Sequence, residues 1–172
     1  MQILTKQEGD SWIKKHLGDV LWKSNLKELY AIHIDYLLIP DSGEKISLAR
    51  NVVNGLQLKT EACFVIDEHG VWPSSENPYL FYQYRKALNE KRTILEAPYH
   101  IFDNSDMKDI ECLLDFALLF FWDSYIVEPN LKYVIKTSHD EYLAIYAEDK
   151  RIFDHFKEII DKYELKVLGK NE

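Results

Sequence analysis

Two β-prone runs, Leu131 to Lys136 and Tyr142 to Ala147, are separated only by the polar residues Thr137-Ser138-His139-Asp140-Glu141. A parallel pairing would need a crossover of a dozen residues or more, so these strands are predicted to meet as an antiparallel hairpin. A second hairpin is predicted upstream. There Ala62 to Ile66 leads through the turn Asp67-Glu68-His69-Gly70 into Val71-Trp72, with Gly70 supplying positive φ.

Segments of helical period lie between and around these pairs. Thr5-x-x-Glu8 has the form of a capping box, and Trp12, Ile13, Leu17, Val20 and Leu21 follow it at helical spacing, predicting a helix over residues 6 to 22. Glu28 to Ile39 alternates as a long strand with His33 and Asp35 on one face. Residues 44 to 54 form a short helix before Gly55. Asn77-Pro78 places an N-cap before a proline at the first helical position, and Leu80, Phe81, Tyr84, Ala87 and Leu88 continue one stripe, predicting a helix over 78 to 90. Further helices are predicted over 106 to 121 and 150 to 164, the second with Ile152, Phe153, Phe156, Ile159, Ile160 and Tyr163 on one side. No run of regular βαβ units occurs. The expected class is therefore α+β: one domain over residues 1 to 172, with a mostly antiparallel sheet containing two hairpins packed against four to five helices.

Of the 172 residues 47% are apolar and 29% charged, ordinary globular proportions that exclude disorder and fibrous repeats. The longest apolar run, Phe116 to Trp122, is far short of the roughly 20 residues a membrane span requires. The net charge is -8, and basic residues cluster only in pairs, so nucleic acid and anionic membranes are not expected partners while a basic protein is. Cys63 and Cys112 lie far apart in apolar stretches, the setting of reduced, buried thiols, and no export signal precedes them; a cytoplasmic location is expected.

Short catalytic motifs are absent. No glycine occurs between Val71 and Leu168, and the earlier ones are isolated, so neither a P-loop nor a dinucleotide fingerprint can be built; no nucleophile elbow, His-Glu-x-x-His or Cys-x-x-Cys occurs either. No cofactor and no metal is expected. Ser138-His139-Asp140 is not a catalytic triad, because neighbouring side chains of an extended chain point to opposite faces. It reads first as a polar hairpin tip. An alternative enzyme reading joins His139 and Asp140 to His100, presented by the non-regular segment Glu96-Ala97-Pro98-Tyr99-His100, and to Asp123 as a metal-assisted hydrolase. His16, His69 and His155 read as surface or turn histidines.

Aromatic residues are 13% of the chain, and Tyr79, Phe81, Tyr82 and Tyr84 cluster around Arg85. Helical geometry places Phe81, Tyr84 and Leu88 on one side and leaves Tyr79, Tyr82 and Lys86 on a neighbouring face. Tyr79, Tyr82, Arg85 and Lys86 are thus candidate binding residues, since exposed tyrosine beside a basic residue is the composition of an interaction hot spot.

Trp72-Pro73-Ser74-Ser75-Glu76-Asn77, then Tyr84-Arg85, Glu96-Ala97-Pro98 with His100, Trp122-Asp123 and Ser138-His139-Asp140-Glu141, resembles a motif order found in small uncharacterised bacterial proteins. The resemblance covers roughly residues 72 to 141. It implies a bacterial cytoplasmic source and no particular reaction. It also implies that Ser74, Glu76, Arg85, Glu96, His100, Asp123 and His139 meet in one polar network, with Arg85 pairing Glu96 or Asp123. Charge, tyrosines and absent motifs together favour a small acidic protein-binding module, such as an immunity-type protein that neutralises a basic toxin.

Overall fold

A computed structural model of the chain describes residues 1–17, 30–35, 41–70, 78–129 and 133–163. Strands β1 (Gln2–Leu4), β2 (Tyr30–Asp35), β3 (Ala62–Glu68), β4 (Tyr99–Phe102), β5 (Asp123–Val127), β6 (Tyr133–Thr137) and β7 (Tyr142–Ala147) form one sheet in the order β1-β4-β3-β5-β6-β7-β2. Every pairing is antiparallel. The helices are α1 (Lys6–Leu17), α2 (Ser42–Asn54), α3 (Pro78–Ala87), α4 (Met107–Leu119) and α5 (Lys150–Asp161). The fold is α+β, as the interleaved pattern predicts, and among the described residues no helix is long and apolar enough to cross a membrane.

Alternation along the strands divides the apolar residues between two faces. Phe64, Ile66, Ile126, Ile135 and Ile145 join Leu48 and Val52 of α2, Phe81 of α3, Leu113 and Leu114 of α4 and Phe156 of α5 in the larger core. Cys63, Val65, Ile101, Val127 and Val134 pack on the other face with Leu4 and with Ile13 of α1. At Gly9 of α1 an added Cβ would lie 2.1 Å from Cγ of Tyr99, so only glycine permits that helix to lie this close to β4. The Thr5 capping box forms, with Thr5 N–H donating to Glu8 Oε2 at 2.8 Å and Glu8 N–H to Thr5 Oγ1 at 3.3 Å.

The predicted hairpin over Tyr133 to Ala147 is present, closed by Ser138 N–H donating to the Tyr142 carbonyl at 3.0 Å and by Glu141 at φ 68°. The upstream hairpin is corrected. β3 runs through the expected turn to Glu68 and is flanked by β4 on one side and β5 on the other, so 62 to 66 offers no edge to a returning strand at 71 and 72. Gly70 does take positive φ, at 76°, while residues 71–72 lie outside the described residues. Strands β1, β4 and β5 were not legible in the sequence.

β5 was hidden by the run from Phe116 to Trp122, which reads as continuous helix but holds a helix stop. α4 ends at Leu119, Phe121 adopts φ 55°, and Trp122 N–H donates back to the Ala117 carbonyl at 3.0 Å. That is a Schellman closure with phenylalanine where glycine is usual. α3 closes in the same way on Asn89 at φ 59°, with Glu90 N–H donating to the Arg85 carbonyl at 2.9 Å. Cys112 is exposed on α4, contrary to the burial expected from its apolar neighbours, whereas Cys63 is buried in β3; both are free thiols.

Candidate functional site

Sequence-predicted residues come together at one end of the sheet. Asp123 starts β5, and its register partner after a bulge in β3 is Glu68, while the β6–β7 turn swings His139 over the same end. His139 N–H donates to Asp123 Oδ1 at 2.9 Å, and its Nδ1 lies 2.9 Å from Asp123 Oδ2. This doubly anchored ring presents Nε2 3.6 Å from Oδ1 of the exposed Asp140. One ligand atom each from Glu68, Asp123 and His139 lies within 4.8 Å of the other two, a spacing near that of side chains sharing one divalent ion. Asp123, not the adjacent Asp140, orients the imidazole. Ser138 acts as the expected turn residue, its Oγ accepting from Asp140 N–H at 3.2 Å.

Glu68 was missed because reading 67 to 70 as a turn removed it from the strand, and its partner strand was itself unread. His100 does not join this cluster. It lies in β4 opposite Phe64, not in an irregular segment, and Glu68 is four positions further along β3 than Phe64, about 13 Å at ~3.3 Å per residue. The enzyme reading therefore keeps Asp123, His139 and Asp140, loses His100 and gains Glu68.

Arg85 and His100 form a second grouping, deep under α3. Both are completely buried. Arg85 Nη2 donates to the Ala97 carbonyl at 3.1 Å, while its Nε and Nη1 and both ring nitrogens of His100 have no hydrogen bond of good geometry among the described residues. Burial, then the neighbouring Arg85 charge, pushes His100 down to about 3, so the imidazole is neutral. Burial likewise lowers the Arg85 pKa, opposed by nearby Glu90.

The expected Arg85 pairing with Glu96 or Asp123 is absent. Glu96 is exposed and accepts from Thr93 N–H at 2.7 Å, capping a local turn, which lowers its pKa. Glu90, which the sequence did not single out, is instead the carboxylate near Arg85. It is bound by Arg92, whose Nε donates at 2.9 Å and holds Glu90 down at about 2. The polar network is thus two separate groupings, with Ser74 and Glu76 outside the described residues.

The faces of α3 are corrected at three positions: Arg85 is buried, while Leu80 and Ala87 of the expected stripe are exposed. Phe81, Tyr84, Arg85 and Leu88 are the residues turned inward, in the i, i+3, i+4, i+7 pattern of one helix face, so Arg85 takes a core position and not a surface one. Leu80, placed in the stripe by the sequence, is 49% exposed beside Tyr79 at 74% and Tyr82 at 38%. Lys86 is exposed, as expected. The helix therefore presents a tyrosine-leucine surface with a lysine one turn on. No family model, curated protein or solved structure matches the chain, so these side chains alone carry the functional argument.

Proposed function

We propose that this chain is a small acidic protein-binding module of the immunity type, acting in a bacterial cytoplasm, which docks on a basic protein toxin through α3 and neutralises it. The observation that carries this reading is the contiguous exposure of Tyr79, Leu80 and Tyr82, large side chains that globular surfaces seldom leave in water together. The net charge of -8 supplies long-range attraction to a basic partner, and the apolar parts of the three side chains supply the contact that holds it.

The test uses purified protein as bait for basic proteins of the source cell, with the captured partner then measured kinetically. The on-rate is expected to fall with rising salt while the off-rate changes much less. Tyr82→Ala is expected to speed dissociation by about 2 kcal/mol, roughly thirtyfold, without altering the fold, because Tyr82 lies off the buried face. Binding insensitive to both salt and Tyr82→Ala, or no partner captured at low salt, would defeat the reading.

The convergence of Glu68, Asp123 and His139 favours a second reading, a metal-assisted hydrolase in which His139 and the two carboxylates hold a divalent ion and leave a position for water. The two readings separate on metal titration. The binding module is expected to keep its thermal midpoint when zinc or manganese is added. A stoichiometric shift abolished by His139→Ala and by Glu68→Gln, but not by His100→Ala, would establish the enzyme reading instead.

A further inference from the structure

The sheet register builds an aromatic wall at the end of β6 and β7 away from His139. β2 and β6 flank β7, and Tyr30 and Tyr133 both stand opposite Ala147, so two phenol rings flank a methyl group on the face that the helices cover. α5 holds both rings, Tyr133 edge-on to Phe156 at 5.5 Å and Tyr30 tilted against Phe153 at 5.6 Å. A cavity of about 790 Å³ opens here, within the size range of small-molecule sites, with Tyr30, Tyr133, Ile152 and Phe156 among its walls.

Most of the charge around the opening is already paired. Lys150 donates to Asp154 at 2.6 Å and Arg151 to Asp149 at 2.8 Å, while the Tyr133 hydroxyl and Nε2 of His155 are sealed from solvent and offer a ligand nothing. One cation and one anion remain. Lys59, on the chain after α2, and Glu148, directly after Ala147, are exposed, line the cavity and make no hydrogen bond or ion pair among the described residues. An anion alone would meet Glu148 and a cation alone would meet Lys59, so the ligand that suits both carries both charges. Burial, then Glu128, raises the Tyr133 pKa, so the phenol stays neutral and its ring face is open to an ammonium. With Glu128 behind Tyr133 and Glu148 beside it in the register, the tyrosine side of the cavity is the more negative one.

We infer that this cavity binds a free amino acid with an apolar side chain, its ammonium at Glu148 beside the tyrosine rings, its carboxylate at Lys59 and its side chain against Ile152 and Phe156. The site is distinct from the α3 face and from the cluster of Glu68, Asp123 and His139, and does not depend on what either of them does.

Titration of the full chain followed by amide NMR shifts tests this, with phenylalanine and leucine as probes. Saturable shifts confined to the cavity are expected for at least one of them, with Kd below about 1 mM. For the amino acid that binds, the analogue without its ammonium, the analogue without its carboxylate, and glycine, which lacks the side chain, should each bind about tenfold more weakly. Lys59→Met and Glu148→Gln should each weaken the amino acid about tenfold without disturbing the fold, since both side chains are exposed. Tyr82→Ala should bind it normally. The inference is overturned if neither amino acid binds below about 10 mM, if an analogue with one charge or glycine binds as tightly, or if both cavity variants bind unchanged.

Discussion

Replacing His100 by leucine is expected to remove roughly 3 kcal/mol of acid sensitivity between pH 7 and pH 4. In the folded chain burial first, and then the Arg85 charge, hold His100 down at about 3; in the unfolded chain it regains the ordinary value near 6.5. Unfolding therefore takes up a proton throughout the window between. The sign follows directly: stability is complete above pH 6.5 and is lost as pH falls towards 3, by about 1.4 kcal/mol for each unit.

Two other groups shape the same profile. Asp115, raised to about 6 chiefly by burial, binds a proton more readily folded than unfolded, so it opposes His100 between pH 6 and pH 4. Its partial exposure limits that opposition to about 1 kcal/mol. Glu90, held near 2 by Arg92, adds to the loss below pH 4.5. The parent protein should thus lose stability gently down to pH 4 and steeply below it. His100→Leu should hold or slightly gain stability over the gentle range. Urea midpoints at pH 7, 5 and 4 measure this, and comparing each protein with itself across pH cancels the packing change. Parallel profiles for parent and variant would show that His100 is not the group responsible.

Trp122→Ala is expected to cost about 3 to 5 kcal/mol, the range for removing a large buried aromatic side chain. Trp122 is 1% exposed and sits where α3, α4 and the sheet meet. Its ring stands edge-on to Phe81 at 4.9 Å and lies 5.4 Å from Phe120, with His69 at 6.4 Å. Its backbone N–H closes α4, and its carbonyl accepts from Thr137 Oγ1 at 2.7 Å, so the residue ties the helix stop to β6 as well. Those backbone bonds survive the substitution, and the loss should be that of packing. The thermal midpoint should fall by roughly 10 °C. Trp122→Phe should retain part of the packing and fall between the two, whereas Leu95→Ala, at a side chain 77% exposed, should change stability by less than about 0.5 kcal/mol. A Trp122→Ala protein as stable as the parent would show that this junction contributes little.

The residues that meet at the two polar groupings explain why so much of the site escaped a reading of the chain. His139 and Asp123 were both singled out, but nothing local indicated that they would touch, since the contact depends on β5 pairing with β6 and β5 begins directly after an apolar run that reads as helix. Glu68 carried no mark of its own. Arg85 stood both among the binding residues and in the polar network as the partner of Glu96 or Asp123, and its place four residues after Phe81 put it on the buried face of α3. Tyr79 and Tyr82 were identified as exposed from helical angle alone, and they are exposed.

Features set by neighbours along the chain were legible without a structure: the Thr5 capping box, the amphipathic stripe of α5, the hairpin from Tyr133 to Ala147 and the positive φ of Gly70. Each depends on contacts within a few residues, whose energies are written in local composition and period. The short strands β1 and β4, the central position of β3 and the stop after Leu119 were decided by the tertiary structure. A three-residue strand such as β1 has too little local preference to declare itself and exists because β4 offers it an edge. Phe121 accepts a left-handed backbone because closing α4 there lets Trp122 bury its ring against Phe81 and Phe120. Packing over long separations outweighs a local backbone cost of about 1 kcal/mol, and no window of the sequence contains both sides of that balance.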